Sequence, residues 1–317
     1  TALKAFKNTE LGETWVEQGE TPEWERLLER REDYRIGTVP IGAALLCAGV
    51  DVQKDRIEVS VWAFGRGKEA WLVEHRVLAG DTSRDTVWQR LREMIDESWT
   101  HASGVQLRLS RIGLDTGYAT QEAYAFVRKL RDSRLLPMKG VARGAALVGL
   151  PTAVDLTVGG KKLRRGVRVY SVVGGIAKLE FYNHLRKTME VTEDGEILYP
   201  AGYIHLPKVD AEFVQQLCSE QLVTRRDRNG YPVREWQKIR ERNEALDCYV
   251  YARAAASLAG LDRYEERHWR ELEKPLGVAG PPEDAQSTKQ EATLSGGFVV
   301  SKGPQRGRRL IRSRWMN

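Results

Sequence analysis

Apolar and polar positions alternate with different periods along the chain, and each change of period marks a new element. Ala43 to Val52 is a nearly continuous apolar run, which predicts a strand buried on both faces. Arg56 to Phe64 alternates between apolar and polar residues, and Glu69 to Val77 forms a further strand after the turn Gly65-Arg66-Gly67. These segments predict three antiparallel strands in succession.

Helical and strand patterns then alternate. Helices are predicted over Asp81 to Trp99 and Thr120 to Leu130, and the strand between them, Val105 to Leu114, ends in Asp115-Thr116-Gly117. Residues 135–173 predict strands separated by glycine-rich and basic loops. They are followed by a helix over Ile176 to Met189, a short strand near Ile204, a helix near Ala211, a hairpin around Asn229-Gly230 and a final helix over Glu241 to Leu261.

This order of elements predicts an α/β protein with a ribonuclease H-like fold. Such a fold has a central mixed sheet, in which three antiparallel strands are followed by parallel strands, and it is flanked by helices. We expect this domain to span residues 41–262. Residues 1–40 are predicted to be an entry segment with a helix from Pro22 to about Tyr34, and residues 263–317 a flexible basic tail.

Composition and charge narrow the class of protein. The chain is 41% hydrophobic with 9 Trp and 11 Tyr, which is enough to build a core. Its net charge of +6 equals the six Lys and Arg residues of segment 301–317, which has no acid, so residues 1–300 sum to zero. The charge therefore does not by itself mark the globular part as a nucleic-acid binder. No apolar run approaches the ~18 residues of a membrane helix.

The cysteines and the first residue of the chain give two further expectations. The three cysteines are far apart and lack metal-binding spacing, which favours a reduced, intracellular protein without disulfides. The chain begins with Thr1 rather than Met, so we expect it to be part of a longer protein.

Three aspartates interrupt or end apolar elements. Asp51 lies at the end of the first buried strand, Asp115 at the end of the fourth, and Asp247 inside the final helix. A charge in such a place is costly unless it is paired or binds a metal. Carboxylate oxygens suit Mg²⁺ or Mn²⁺, and two such ions ~4 Å apart can activate water and stabilise the leaving oxygen of a phosphodiester.

Each acid also has a simpler interpretation. Asp115 fits a turn residue or helix cap, Asp51 a strand end, and Asp247 a solvated helix face. Gly49 instead indicates that another part of the chain approaches the backbone beside Asp51. Taken together, the acids predict that Asp51 bridges two divalent cations, while Asp115 holds one and Asp247 the other. Glu244, one helical turn before Asp247, is a possible additional ligand.

Three separated segments of the chain resemble the lambda-type large terminase subunit of tailed phages and prophages, in the order of that family. They are Phe6 to Trp15, Gly49 to Gln53 with Asp55-Arg56 and Glu58, and Arg242 to Cys248 with Tyr251-Ala252. The resemblance spans about residues 6–260 and concerns the nuclease half alone. It implies that Asp51, Asp115 and Asp247 are the metal-binding acids of an endonuclease that cuts concatemeric double-stranded DNA.

The resemblance also implies partners and a location. The full-length protein would work with a terminase small subunit and the capsid portal in the host cytoplasm, and residues 1–40 would lead from an N-terminal ATPase. No Gly-x-x-x-x-Gly-Lys-Ser/Thr motif occurs here, so we expect no ATPase activity in this chain. Two alternatives stay open: a junction resolvase or transposase, which would lack the Asn8 to Glu13 stretch, and a non-catalytic module that binds DNA or the portal.

Two internal basic features are candidate DNA contacts. Gly174-Gly175 leads into a helix, where backbone N–H groups and Lys178 can bind a phosphate; an ordinary turn is the simpler interpretation of this pattern. The basic cluster Lys161, Lys162, Arg164 and Arg165 either follows a DNA backbone or solubilises a hairpin. The basic cluster in 301–317 contains Leu310-Ile311 and Trp315-Met316, a composition that fits either ordering on DNA or the portal, or no specific role.

Overall fold

The computed structural model describes residues 20–158 and 161–278. The Asn8 to Glu13 stretch and the basic cluster in 301–317 lie outside these ranges. None of the described helices has the length and apolarity needed to cross a bilayer. The helices are α1 (Trp24–Glu29), α2 (Asp85–Ile95), α3 (Thr120–Leu130), α4 (Gly174–Leu185), α5 (Ala211–Leu217), α6 (Glu244–Ala259) and α7 (Glu266–Glu273).

The strands of the described chain fall into one large sheet and several short pairings. They are β1 (Thr38–Val39), β2 (Ala43–Val52), β3 (Arg56–Gly65), β4 (Ala70–Ala79), β5 (Trp99–His101), β6 (Gln106–Leu107), β7 (Arg111–Asp115), β8 (Leu135–Val141), β9 (Thr152–Val158), β10 (Lys161–Val173), β11 (Glu190–Val191), β12 (Ile197–Leu198), β13 (Ile204–His205), β14 (Glu220–Arg226) and β15 (Pro232–Lys238).

The large sheet has the predicted topology. Within the described residues it contains eight strands in the order β13-β4-β3-β2-β7-β8-β10-β9. Strands β2, β3 and β4 pair antiparallel, whereas β7 joins β2, β8 joins β7, and β10 joins β8 in parallel. Three antiparallel strands followed by parallel ones are the pattern of the ribonuclease H-like fold, so that prediction is confirmed.

Helices cover both faces of this sheet and make three layers. On one face α4, α5 and α6 bury aromatic side chains: Trp62 of β3 meets Tyr249 of α6 edge to face with ring centroids 4.9 Å apart, and Tyr249 stacks on Phe181 of α4 at 3.7 Å. On the other face α2 and α3 pack Trp88 and Phe126 together, with centroids 5.1 Å apart. Burial of these large rings supplies much of the favourable free energy of folding.

The two-residue period of the strands decides which face each acid occupies. Leu45 and Cys47 of β2 join the core beneath α6, while Ala48 and Val50 join the opposite core. Because side chains alternate along a strand, Asp51 continues the series on the α6 face. Strand β7 follows the same rule, with its apolar side chains on the opposite face, so Asp115 also lies toward α6.

The predicted elements between residues 81 and 114 are only partly correct. The helix predicted over Asp81 to Trp99 occupies Asp85–Ile95, since Trp99 belongs to β5, which pairs in parallel with β1. The strand predicted over Val105 to Leu114 is broken into β6 and β7, which lie in different sheets. The broken strand shows that an apolar run does not reveal where a chain leaves one sheet for another.

Both predicted domain boundaries fall inside packed structure. Residues 20–40 were expected to be an entry segment, yet Leu27 and Val39 are buried and α1 contacts α5. The helix found there, α1, is shorter than predicted, because it spans only Trp24–Glu29. Residues 263–278, expected to be tail, include α7, whose Trp269 is buried. The described parts of both flanks thus belong to the same packed unit as the rest of the described chain.

Candidate active site

Gly49 and Gly113 allow α6 to lie directly on the sheet. Gly49 of β2 and Gly113 of β7 are register partners on adjacent parallel strands. A Cβ atom on Gly49 would lie 1.8 Å from the carbonyl oxygen of Cys248, and one on Gly113 would lie 2.4 Å from that of Tyr251. Only glycine permits such a close approach between backbones. The segment expected to approach the backbone beside Asp51 is therefore α6. Gly113 lies two residues before Asp115 in the same way, and this signal was not recognised in the sequence.

This close approach brings the three predicted aspartates together. Asp51 and Asp115 each follow a glycine by two residues, and the paired residues Val50 and Leu114 immediately precede them. Asp247 lies in the first turn of α6, next to the residue that touches Gly49. Each of these carboxylates acts electrostatically on another: Asp115 and Asp247 both raise the pKa of Asp51.

Asp51 is the most buried of the three, with 4% of its surface exposed. Burial raises the pKa of Asp51 to about 8, nearby carboxylates add to this effect, and a hydrogen bond from Gln53 Nε2 to Oδ2 at 2.6 Å opposes it. A buried carboxyl group among like charges favours the approach of a cation.

Asp115 accepts two hydrogen bonds on one carboxylate oxygen. The Tyr251 hydroxyl donates a hydrogen bond to Asp115 Oδ1 at 2.7 Å, and the backbone N–H of Gly117 donates to the same oxygen at 3.0 Å. Burial raises the pKa of Asp115, and the hydrogen bond from Tyr251 lowers it. Tyr251 had no predicted role at the metal site. Its spacing of four residues from Asp247 on one helix was the available signal for a shared face.

Through its ammonium, Lys178 contacts two carboxylates, one of which is that of Asp247. Its Nζ atom is 2.6 Å from Glu220 Oε1 and 3.4 Å from Asp247 Oδ1. Asn243 Nδ2 donates to Asp247 Oδ2 at 2.8 Å and to Glu220 Oε1 at 3.2 Å. Burial opposes the positive charge of Lys178, but Asp247 and Glu220 outweigh it and raise the lysine pKa. Lys178 was predicted to contact phosphate; the structure pairs it with acids, one of which, Glu220, had no sequence signal.

Glu244 is held by arginines next to this cluster. Its two carboxylate oxygens pair with Arg56 and Arg242. The same two arginines also donate to Glu58, which is fully buried, at 2.7 and 2.8 Å. Glu244 is close enough to raise the pKa of Asp51, yet both of its oxygens are engaged in ion pairs. These contacts tie β3 to the start of α6.

The donor set fits a hard divalent cation. The carboxylates of Asp51, Asp115 and Asp247 offer oxygen ligands, and the ammonium of Lys178 shows that Asp247 accepts a positive charge. Within residues 20–158 and 161–278, no three side chains of His, Cys, Asp or Glu meet closely enough to hold one ion jointly. An ion at this position would therefore draw on at most two of these side chains, with other oxygens completing its coordination.

A cleft of about 570 Å³ opens beside Asp247 and Lys178. Its walls include the start of α4, the end of β8 with Arg143, and β15 with Arg234 and Trp236. Of the predicted basic cluster, Arg164 is exposed on β10 near the hairpin with β9, and it does not line this cleft. The side chains of Lys161, Lys162 and Arg165 lie outside the described structure.

Comparison with known proteins gives the chain a set of relatives. Residues 1–269 match the family model of the terminase large subunit gpA, endonuclease domain. The chain is 34% identical over 262 residues to the terminase large subunit of Escherichia phage lambda, covering 81% of this chain and 39% of that protein. It is 31% identical over 300 residues to the terminase large subunit of Enterobacteria phage P21, covering 93% and 44%. The chain thus spans about two fifths of the length of these relatives.

Solved structures with a distant likeness are also nucleases of large terminases. One, from thermophilic phage G20c with bound magnesium, is 14% identical with a TM-score of 0.37, covering 66% of this chain and 80% of that chain. Another, the nuclease domain from bacteriophage SPP1 with bound Mn, is 12% identical with a TM-score of 0.30, covering 75% and 93%.

Proposed function

The chain belongs to the family of the terminase large subunit gpA endonuclease domain, and from that premise we propose that it hydrolyses phosphodiester bonds of double-stranded DNA. Hydrolysis depends on divalent cations, Mg²⁺ or Mn²⁺, held by Asp51, Asp115 and Asp247. The observation that carries this proposal is the position of these acids: the helix that bears Asp247 lies directly on the paired glycines that precede Asp51 and Asp115. Family membership supports this activity over that of a junction resolvase or transposase.

The proposed ligands divide between two ions. Asp51 and Asp115 would hold one ion, and Asp51 and Asp247 would hold the other, while Glu244 stays paired with Arg56 and Arg242. When bound, such ions activate a water molecule and stabilise the charge on the leaving oxygen.

The side chains around the acids have a positioning role. Gln53 orients the carboxylate of Asp51, Tyr251 that of Asp115, and Asn243 that of Asp247. These hydrogen bonds orient the carboxylates before substrate arrives, which reduces the reorganisation needed in the transition state.

The DNA backbone is proposed to enter the cleft beside Asp247. Arg143 and Arg234 line it and offer positive charge to phosphates. Residues 1–300 carry no net charge, so local basic groups rather than the overall field have to attract DNA. The cluster Lys161, Lys162, Arg164 and Arg165 stays a proposed second contact. Binding of this kind is electrostatic and independent of sequence.

The role of the whole protein is a further part of the proposal. Within a full-length terminase this domain would cut concatemeric DNA in the host cytoplasm, with an ATPase motor, a small subunit and the capsid portal as partners. Site recognition would come from the small subunit, so the present chain should cleave with little sequence preference.

Plasmid cleavage tests the proposal. We expect the chain to nick and linearise supercoiled plasmid with Mg²⁺ or Mn²⁺, and a chelator should stop the reaction. Asp51→Asn should abolish cleavage, whereas Asp33→Asn, which removes an exposed acid paired with Lys208, is the matched control and should cut like the native chain. Cleavage by Asp51→Asn at the native rate would refute the site. DNA binding without metal-dependent cleavage by the native chain would indicate a non-catalytic module instead.

A further inference from the structure

The partners of the three aspartates differ in charge. In the described part of the chain, the side-chain groups that donate directly to Asp51 and Asp115 are neutral: the amide of Gln53 and the hydroxyl of Tyr251. Asp247 instead has the ammonium of Lys178 at 3.4 Å. A cation that approaches Asp51 and Asp115 therefore meets no ammonium on their oxygens, whereas one that approaches Asp247 does.

Lys178 is fixed in this position from two sides. Its side chain is only 14% exposed, and its second partner, Glu220, is 9% exposed and closer, at 2.6 Å. Asn243 bridges Glu220 and Asp247 and so keeps both carboxylates facing the ammonium. A buried ammonium between two carboxylates is held firmly, because leaving would strand uncompensated charges.

We propose that Lys178 is a built-in competitor of one divalent cation: its ammonium occupies Asp247, so the ion shared by Asp51 and Asp247 binds only when Lys178 moves away. This inference rests on the proposed function, because it concerns the second ion of the proposed centre. The ion held by Asp51 and Asp115 would displace no ammonium from those oxygens, since Lys139 acts on Asp115 electrostatically but forms no ion pair with it in the described structure. The two ions should therefore differ in affinity.

The cleft offers Lys178 an alternative partner. Lys178 and Asp247 both line it, and the lysine side chain is a flexible four-carbon stem that ends in a compact charge. A DNA phosphate in the cleft can accept the ammonium and free Asp247. Binding of the second ion is then coupled to the arrival of the DNA backbone, and the complete centre forms only with substrate in place.

Counting bound Mn²⁺ tests the competition without measuring cleavage. The 317-residue chain is titrated with Mn²⁺ in the absence of DNA, and free Mn²⁺ is followed by electron paramagnetic resonance. The variants are Lys178→Met, the double variant Lys178→Met with Glu220→Gln, and Lys178→Arg. The double variant removes one positive and one negative charge together, so it avoids a buried, unpaired Glu220. Lys208→Met, which removes an exposed lysine paired with Asp33, is the matched control.

We expect the native chain to bind one Mn²⁺ more tightly than a second. Removal of the ammonium should raise the affinity for the second Mn²⁺ ion at least about tenfold in both Met variants. The reason is that a positive charge, which repels the ion, no longer lies next to Asp247. Lys178→Arg and Lys208→Met should resemble the native chain. Circular dichroism verifies that each variant is folded. If Lys178→Met alone does not fold, the double variant provides the test.

Failure takes two distinguishable forms. Two Mn²⁺ ions bound by the native chain, with a second constant that is unchanged or weaker in the double variant, would overturn the competition and leave the proposed metal centre intact. No Mn²⁺ bound by the native chain would overturn the proposed function itself, and the competition with it.

Discussion

Gly49 and Gly113 lie opposite each other on adjacent parallel strands, and a side chain on either would overlap the backbone of the helix that carries Asp247. Two metal-site candidates, Asp51 and Asp115, follow these glycines by two residues and face the same helix. The distance between sheet and helix thus decides whether the acids can share ions. The site depends as much on two absent side chains as on the carboxylates.

Substitution of Gly49 by Ala should be strongly destabilising. The new methyl group would lie 1.8 Å from the carbonyl oxygen of Cys248, so α6 must move or the strand must bend. We expect a loss of roughly 2–4 kcal/mol in the free energy of unfolding, measured by chemical denaturation. Gly140→Ala is the control, because its methyl group would have only an ordinary contact at 3.6 Å. Equal stability of both variants would mean that α6 does not need this approach.

Asp51→Asn should stabilise the protein in metal-free buffer at neutral pH. The carboxyl group of Asp51 is buried among Asp115, Asp247 and Glu244, which raises its pKa to about 8. At neutral pH the folded chain must therefore either bury a charge there or take up a proton that the unfolded chain does not bind, and an amide of the same shape avoids both costs. For a domain of this size each kcal/mol recovered raises the Tm by about 2–4 °C. Scanning calorimetry with chelator measures the change, and saturating Mn²⁺ should reverse the order of the two melting temperatures. A variant that melts below the native chain in chelator contradicts the electrostatic argument.

Tyr251→Phe should weaken the centre while the fold is kept. The variant keeps the ring but loses the hydroxyl that donates to Asp115 at 2.7 Å. We expect a loss of about 10–100-fold in Mn²⁺ affinity or cleavage rate, as for other groups that orient metal ligands. Tyr118→Phe, at an exposed position, provides the comparison and should behave like the native chain. An unchanged Mn²⁺ constant for Tyr251→Phe would exclude an orienting role.

His205 should make the stability depend on pH. Its ring nitrogens each lie 2.6 Å from a carboxylate, of Glu32 and Glu69; burial opposes the positive charge, but these acids raise the pKa of His205 above 6.5. A raised pKa in the folded state contributes stability that is complete below pH 6.5 and is lost as pH rises through the folded pKa.

The measurement is the free energy of unfolding at several pH values from 6 upwards. The native chain should lose up to about 1.4 kcal/mol per pH unit from this residue in that range, and His205→Gln should show a flatter profile. Parallel profiles of the two proteins would show that His205 stays neutral.

Replacement of the whole basic cluster by Glu, which reverses its charge, should weaken DNA binding. The residues replaced are Lys161, Lys162, Arg164 and Arg165. If these groups contact phosphates, affinity should fall for all sequences alike and the salt dependence should become shallower. Fluorescence anisotropy at several salt concentrations measures both quantities. Unchanged affinity and slope would exclude these four residues as DNA contacts.

The sequence by itself determined the fold class and which strands are neighbours in the sheet. Strand β2 and helix α3 have the predicted bounds, because a continuous apolar run and a period of 3.6 residues are local signals. The order of strands placed Asp51 beside Asp115, since the topology makes β2 and β7 neighbours. The family segments agreed with this pattern, and the family they indicated is confirmed.

The tertiary structure alone decided which distant side chains meet. Lys178 and Glu220 lie 42 residues apart, and Tyr251 lies 136 residues from Asp115; no periodicity records such pairs. A lysine after a glycine turn has the same local pattern whether it faces phosphate or a carboxylate. The choice depends on burial, because in a water-poor interior the ammonium needs a fixed negative partner, and only the packing of α4 against α6 and β14 supplies one.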